Sequence, residues 1–241
     1  TCNSTGQCVT TCTDTCLSLG YSCGTHTICG SSVNCGTCTL PQTCNTTNQC
    51  STSAQTWTWT NELITNGGFE DGDLTGWIEE NGDYGQGFSV GNHMGNSQYV
   101  LPQSGSYQAW DDGASSDASG VDFYLYQDVN LGSYASYIDA GNAKMNASGW
   151  GATSEKTGGA DTTRIQFIFL DISHNELETA INSGWIYWVN GTWWKRGVTN
   201  YNIPVNTRYI RVWASSYENC GGDYCDSGTW DSFSVKLGYF A

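Results

Sequence analysis

Val121-Asp122-Phe123-Tyr124-Leu125-Tyr126-Gln127-Asp128-Val129 decides the fold. Val121, Phe123, Leu125 and Val129 fall on one face, the period of a half-buried β-strand and not of a helix. Arg164-Ile165-Gln166-Phe167-Ile168-Phe169-Leu170 repeats the pattern with Ile165, Phe167 and Phe169. Arg208-Tyr209-Ile210-Arg211-Val212-Trp213 turns Ile210 and Val212 inward, and the charged Arg208 on the same parity marks a strand exposed at its start. Trp230-Asp231-Ser232-Phe233-Ser234-Val235-Lys236-Leu237 places Phe233, Val235 and Leu237 inward. Gly, Asn and Asp separate these segments, and the one helical turn expected is Asn175 to Ile181, ended by Gly184. The chain therefore reads as all-β, a two-sheet jelly-roll β-sandwich.

The N-terminal part reads differently. Ten of the twelve cysteines lie in the first 50 residues: Cys2, Cys8, Cys12, Cys16, Cys23, Cys29, Cys35, Cys38, Cys44 and Cys50. The segment opens with T-C-N-S-T-G-Q-C (Thr1 to Cys8) and closes with T-C-N-T-T-N-Q-C (Thr43 to Cys50). An even, dense set of cysteines implies a disulfide framework made in an oxidising compartment, hence a secreted or cell-surface protein. Zinc is the competing use of Cys35-Gly36-Thr37-Cys38, but a thiolate site wants a second such pair and none exists. Large apolar residues are few before Gln55, so cross-links must replace a core in this loop-dominated module. Spacing leaves the connectivity open. Cys220 and Cys225, flanking Gly221-Gly222, are expected to close a short disulfide loop. All eleven tryptophans lie at or beyond Trp57. The expected organisation is a cysteine-rich module over residues 1–50, a linker over 51–56 and the sandwich over 57–241.

A net charge of -15, with all eight Lys and Arg at or beyond Lys144, argues against nucleic acid or anionic membrane as partner. The many acids serve solubility or bind divalent cations. No apolar run reaches the roughly 18 residues of a membrane span, and no leader precedes Thr1, so a mature chain without membrane insertion is expected. Sequons at Asn3, Asn45, Asn146 and Asn190 would be N-glycan acceptors in a eukaryotic secretory pathway.

Several motifs now align in order. Leu63-Ile64-Thr65-Asn66-Gly67-Gly68-Phe69-Glu70-Asp71-Gly72 is followed by Leu74-Thr75-Gly76-Trp77. Phe169-Leu170-Asp171 precedes Gly184-Trp185, then come Ile203-Pro204-Val205-Asn206-Thr207-Arg208-Tyr209-Ile210-Arg211-Val212 and Trp230-Asp231-Ser232-Phe233-Ser234-Val235. Together they resemble galactose-binding-like domains of the carbohydrate-binding-module type, over nearly all of Asn61 to Leu237. The resemblance implies a structural calcium joining the first strand to the last, held by Glu70, Asp231 and loop carbonyls; Ser232 stands where the family has a second acid. It also implies that Trp77 and Trp185 are core. Asp111-Asp112 is a further acidic pair, read as an Asp-Gly turn.

Sugar binding needs aromatic faces flanked by polar groups. The candidates are Trp110, Trp150, Trp188, Trp193 and Trp194. The histidines, His26, His93 and His174, have no nucleophile signature beside them, so no catalysis is expected. The expected function is non-catalytic binding of a polysaccharide or glycoconjugate. The rival is a subunit of an extracellular filament or surface layer, built head to tail from copies of the chain, with the cysteine module docked onto the next jelly roll.

Overall fold

The computed structural model describes residues 12–39, 42–51, 56–80, 87–92, 100–111, 121–153, 162–187, 192–218 and 228–240. The chain divides into two compact units, Thr1–Thr56 and Trp57–Ala241. In the first, β1 (Thr25–Ile28) pairs with β2 (Ser31–Asn34), and β3 (Thr43–Cys44) with β4 (Cys50–Ser51). Four disulfides staple it: Cys12–Cys29, Cys16–Cys35, Cys23–Cys44 and Cys38–Cys50. Cys35 and Cys38 have different partners, which removes the zinc reading of that pair. The sulfurs of Cys23, Cys38 and Cys50 lie within 4.8 Å of one another because two bridges are neighbours. Cys2, Cys8, Cys220 and Cys225 lie outside the described residues. Among the described residues of this unit only Cys23 and Ile28 are buried hydrophobics, so the bridges carry its stability. Replacing Cys23 and Cys44 together by serine opens a 21-residue loop. A cost of roughly 3 kcal/mol is expected, visible as new proteolytic cuts between residues 12 and 51 by mass spectrometry.

The second unit adds β5 (Thr58–Trp59), β6 (Ile78–Glu80), β7 (Phe88–Gly91), β8 (Gln108–Asp111), β9 (Val121–Asn130) and β10 (Ala143–Thr153). It continues with β11 (Thr162–Leu170), β12 (Glu176–Asn182), β13 (Ile186–Tyr187), β14 (Trp194–Asn202), β15 (Tyr209–Glu218) and β16 (Gly228–Tyr239). One sheet runs β14-β10-β16-β8-β7, with β5 also on β16; the other runs β12-β11-β15-β9-β6, with β13 also on β11. Between them Phe123, Leu125, Ile165, Phe167, Ile210 and Val212 of the second sheet meet Met145, Ala147, Trp230, Phe233, Val235 and Leu237 of the first. The inward residues expected from alternation are thus core, Val121 apart, whose side chain lies outside the described ones. Gly149 is required where it stands, because a Cβ there would lie 2.4 Å from the Phe233 ring.

Two elements depart from expectation. Residues 175–181 form no helical turn: Glu176–Asn182 is the edge strand β12, registered against β11 through Phe167↔Ile181 and Phe169↔Glu178. Pairing with β11 satisfies backbone groups that a single isolated helical turn leaves open. A short helix, α1 (Ala135–Asp139), instead buries Ile138 after β9.

Candidate functional site

Strand alternation sends one set of side chains to the core and the other to the outer face. On the second sheet the outward set of β9, β15 and β11 is Tyr124, Tyr126, Arg211, Trp213 and Arg164. Trp213 lies opposite Tyr126 in register, and Tyr126 opposite Ile78 of β6. The Tyr124 ring meets Trp213 edge-on at 5.4 Å and Tyr126 lies at 5.9 Å. Trp185 and Tyr217 extend the row, their centroids 6.1 Å apart. Ile78 is 49% exposed and Tyr217 36%. The result is a half-buried aromatic cluster on the outer side of the sheet, with Tyr217 and Ile78 exposed at its edges and charged groups around it. Trp185 was expected in the core, but it is only half-buried and packs under Arg164, because its segment follows β12 at the sheet edge and not between the sheets.

The polar groups around these rings are fixed. Arg211 donates to both oxygens of Asp128 (Nε at 2.7 Å, Nη2 at 2.8 Å) while its guanidinium lies 4.3 Å over Tyr126 and 5.6 Å over Trp213. This hydrogen bonding holds Arg211 above the usual guanidinium range. His174 Nδ1 reaches the same carboxylate at 3.0 Å and its ring stacks on Tyr209 at 4.2 Å. Tyr124 donates its hydroxyl to Asp122 at 2.7 Å; burial first, then that hydrogen bond, pushes its phenol up to about 12. Arg164 lies 4.3 Å over Trp185 and donates Nε to Ser215 Oγ at 3.2 Å. Trp213 Nε1 is buried with no hydrogen-bond partner among the described residues. Flat apolar rings edged by oriented donors are what a sugar ring requires.

The tryptophans singled out from sequence lie elsewhere. Trp110 is half-buried in β8 and Trp150 half-buried in β10, with the Lys195 ammonium 5.7 Å above its ring. Trp194 packs against the core and Trp193 donates Nε1 to the Leu101 carbonyl at 2.9 Å. Trp188 lies outside the described residues. These four described rings belong to the first sheet or its margin and are not gathered into a face. That sheet does carry a cavity of about 340 Å³, lined by Asn146, Ser148, Lys195, Val198, Thr199 and Ser234 among others, with no aromatic ring in its wall.

Trp77 is core as expected, 5.1 Å from Phe233 and donating Nε1 to the Asn66 carbonyl. Asp111 sits in no turn: it is fully buried in β8, where Oδ2 accepts from Gly228 N at 2.9 Å. Asn146 lies mid-strand in β10 with its amide oxygen accepting from Asn200 N at 2.7 Å. Asn45 caps a turn by accepting from Thr47 N and Gln49 N. Asn3 and Asn190 lie outside the described residues, as do His93 and Asp112.

Glu70 and Asp231 converge on one loop. Glu70 accepts from Ser106 N at 2.9 Å and Tyr107 N at 3.0 Å; Asp231 Oδ2 accepts from Ser104 N at 3.0 Å. Gly105, at φ +67°, stands in the left-handed region that favours glycine, and a Cβ there would displace the Glu70 carboxylate, 2.2 Å away. Asp231 is fully buried, and burial outweighs its amide hydrogen bonds to push the carboxyl up to about 6.

No protein-family model matches the sequence, and no curated protein does either. Solved structures do match. An apo cyclase from Fischerella sp. superimposes with a TM-score of 0.50 at 17% identity, over 77% of this chain and 98% of the cyclase. A cyclase from Fischerella sp. TAU in complex with 4-(1H-indol-3-yl)butan-2-one gives 0.50 at 18% identity, over 76% and 100%. TmCBM61 in complex with β-1,4-galactotriose gives 0.47 at 19%, over 73% and 98%. The shared feature is the β-sandwich. At these identities the likeness is one of fold, so ligand and chemistry rest on the residues of this chain.

Proposed function

We propose that the protein binds saccharide, outside the cell, on the aromatic outer face of the β9-β15-β11 sheet. The observation that carries this reading is the outward set Trp185, Tyr217, Tyr124, Trp213 and Tyr126, partly exposed and edged by two arginines. Aromatic side chains with a few fixed polar groups around them are the usual lining of ligand sites, and aromatic faces suit pyranose rings. Of the three acids on this face, Asp122 accepts from Tyr124, Asp128 is paired with Arg211, and Glu80, opposite Tyr124 on β6, is exposed. The extracellular reading is supported by the four bridges of the first unit. Isothermal titration against a panel of soluble plant and microbial polysaccharides tests it; binding without release of reducing ends is expected, and the absence of binding to every member would refute it.

Calcium fits the Glu70–Asp231 pair. Two carboxylates are hard oxygen donors of the kind Ca2+ takes, and the amide hydrogen bonds leave further lone pairs on each. Glu70 and Asp231 would hold the ion, which would supply counter-charge to a buried carboxylate and tie the Ser104–Tyr107 loop to β16. A raised carboxyl pKa means that folding favours the protonated form. Its contribution is full below the ordinary value of 3.8 and is lost as pH rises through about 6. In chelator the melting temperature is therefore expected to fall between pH 5 and 7, and Asp231→Asn to fall less. Millimolar calcium is expected to restore the wild type at pH 7. A chelator-insensitive melting curve would remove the ion from this account.

A further inference from the structure

Among the described residues, Arg164 is the one guanidinium of the aromatic face with no ion-paired acid. Arg211 is neutralised by Asp128, and at the far end of the strand Arg208 pairs with Asp139 at 2.7 Å. Of the other acids of the face, Asp122 accepts from Tyr124, and Glu80 lies opposite Tyr124 without an ion pair to Arg164. Arg164 donates Nε to Ser215 Oγ and lies 4.3 Å over the Trp185 ring; among the described residues neither Nη atom has a hydrogen-bond partner and no carboxylate comes within ion-pair distance.

The position is also specific. Arg164 lies opposite Ser215, and Ser215 opposite Tyr124, one outward position along from the Trp213–Tyr126 row. Two residues along a strand span about 6.6 Å, which brings the guanidinium to the edge of a ring stacked on Trp213. Neutral hydroxyls need no full positive charge. A carboxylate does, and it fits the Nη donors of a guanidinium held over an aromatic ring.

We propose that this face selects acidic saccharides, with Arg164 taking the carboxylate of a uronic acid residue. The inference rests on the saccharide reading above and adds its charge class. The test is titration of the full chain with oligogalacturonate, oligomannuronate and glucuronoxylan oligosaccharides, each beside its carboxyl-reduced neutral form. For the backbone that binds, the acid form is expected to bind roughly tenfold more tightly than the reduced form. Arg164→Gln should equalise the pair by weakening only the acid, and Arg164→Lys should keep part of the preference; an unchanged melting temperature shows each variant folded. Equal binding of acid and reduced forms by the wild type overturns the proposal and leaves the saccharide reading standing. Equal loss of both forms in Arg164→Gln assigns Arg164 to ring packing and overturns it too. Failure of every acidic and neutral saccharide to bind overturns the saccharide reading itself.

Discussion

Trp213→Ala abolishes measurable saccharide binding while the protein stays folded. The ring is the middle of the face, meeting Tyr124 at 5.4 Å and Tyr126 at 5.9 Å with the Arg211 guanidinium over it. Its loss removes the stacking surface and lets water reach the neighbours. Central aromatic anchors cost about 2 kcal/mol or more on truncation, so affinity should fall by roughly 30-fold or more. The indole points away from the inter-sheet core that Ile210 and Val212 occupy from the same strand, so melting should shift far less than for a core truncation. Titration calorimetry with a thermal melt on the same sample reads both. Trp150→Ala, on the opposite sheet, should leave binding unchanged.

Phe233→Ala has the larger effect on the fold. Phe233 is 4% exposed and closes the end of the core against Trp77 at 5.1 Å and Phe69 at 6.4 Å, while the absent side chain of Gly149 makes room for it. Truncating a buried Phe costs about 3–5 kcal/mol. For a unit of this size that is a fall of roughly 10 °C in melting temperature. The same residue's amide bonds the Gly67 carbonyl at 2.8 Å, so the segment carrying Glu70 should loosen with it. A calcium-dependent wild-type melt that becomes calcium-independent in Phe233→Ala would show that coupling.

The sandwich was legible because four strands alternate cleanly, and their inward residues are the core found. β10 was hidden: Ala143-Lys144-Met145-Asn146-Ala147-Ser148-Gly149-Trp150 has weak strand propensity, and its outward polar and inward small residues give a shallow pattern. β14 was hidden by the pair Trp194–Lys195 followed by polar residues, and it earns its place by pairing with β10. The connectivity of the cysteine module could not be read, since spacing does not choose partners. The binding face was legible in part. The same parity that turns Phe123, Leu125, Ile210 and Val212 inward turns Tyr124, Tyr126, Arg211 and Trp213 outward, so tryptophan count was a poorer guide than strand parity. The approach of Trp185 to Arg164 and Tyr217 had no signal in sequence, because it depends on where the sheet edge brings a segment from beyond β12.

The most direct test of the central claim is a crystal structure of the protein with an oligosaccharide that titration shows to bind. The account predicts sugar rings lying against Trp213 and Tyr126, with the ligand running toward Arg164 and Trp185. Sugar seated instead against Trp110, Trp150 or Trp194 on the opposite sheet, with the Trp213 face bare, would contradict it.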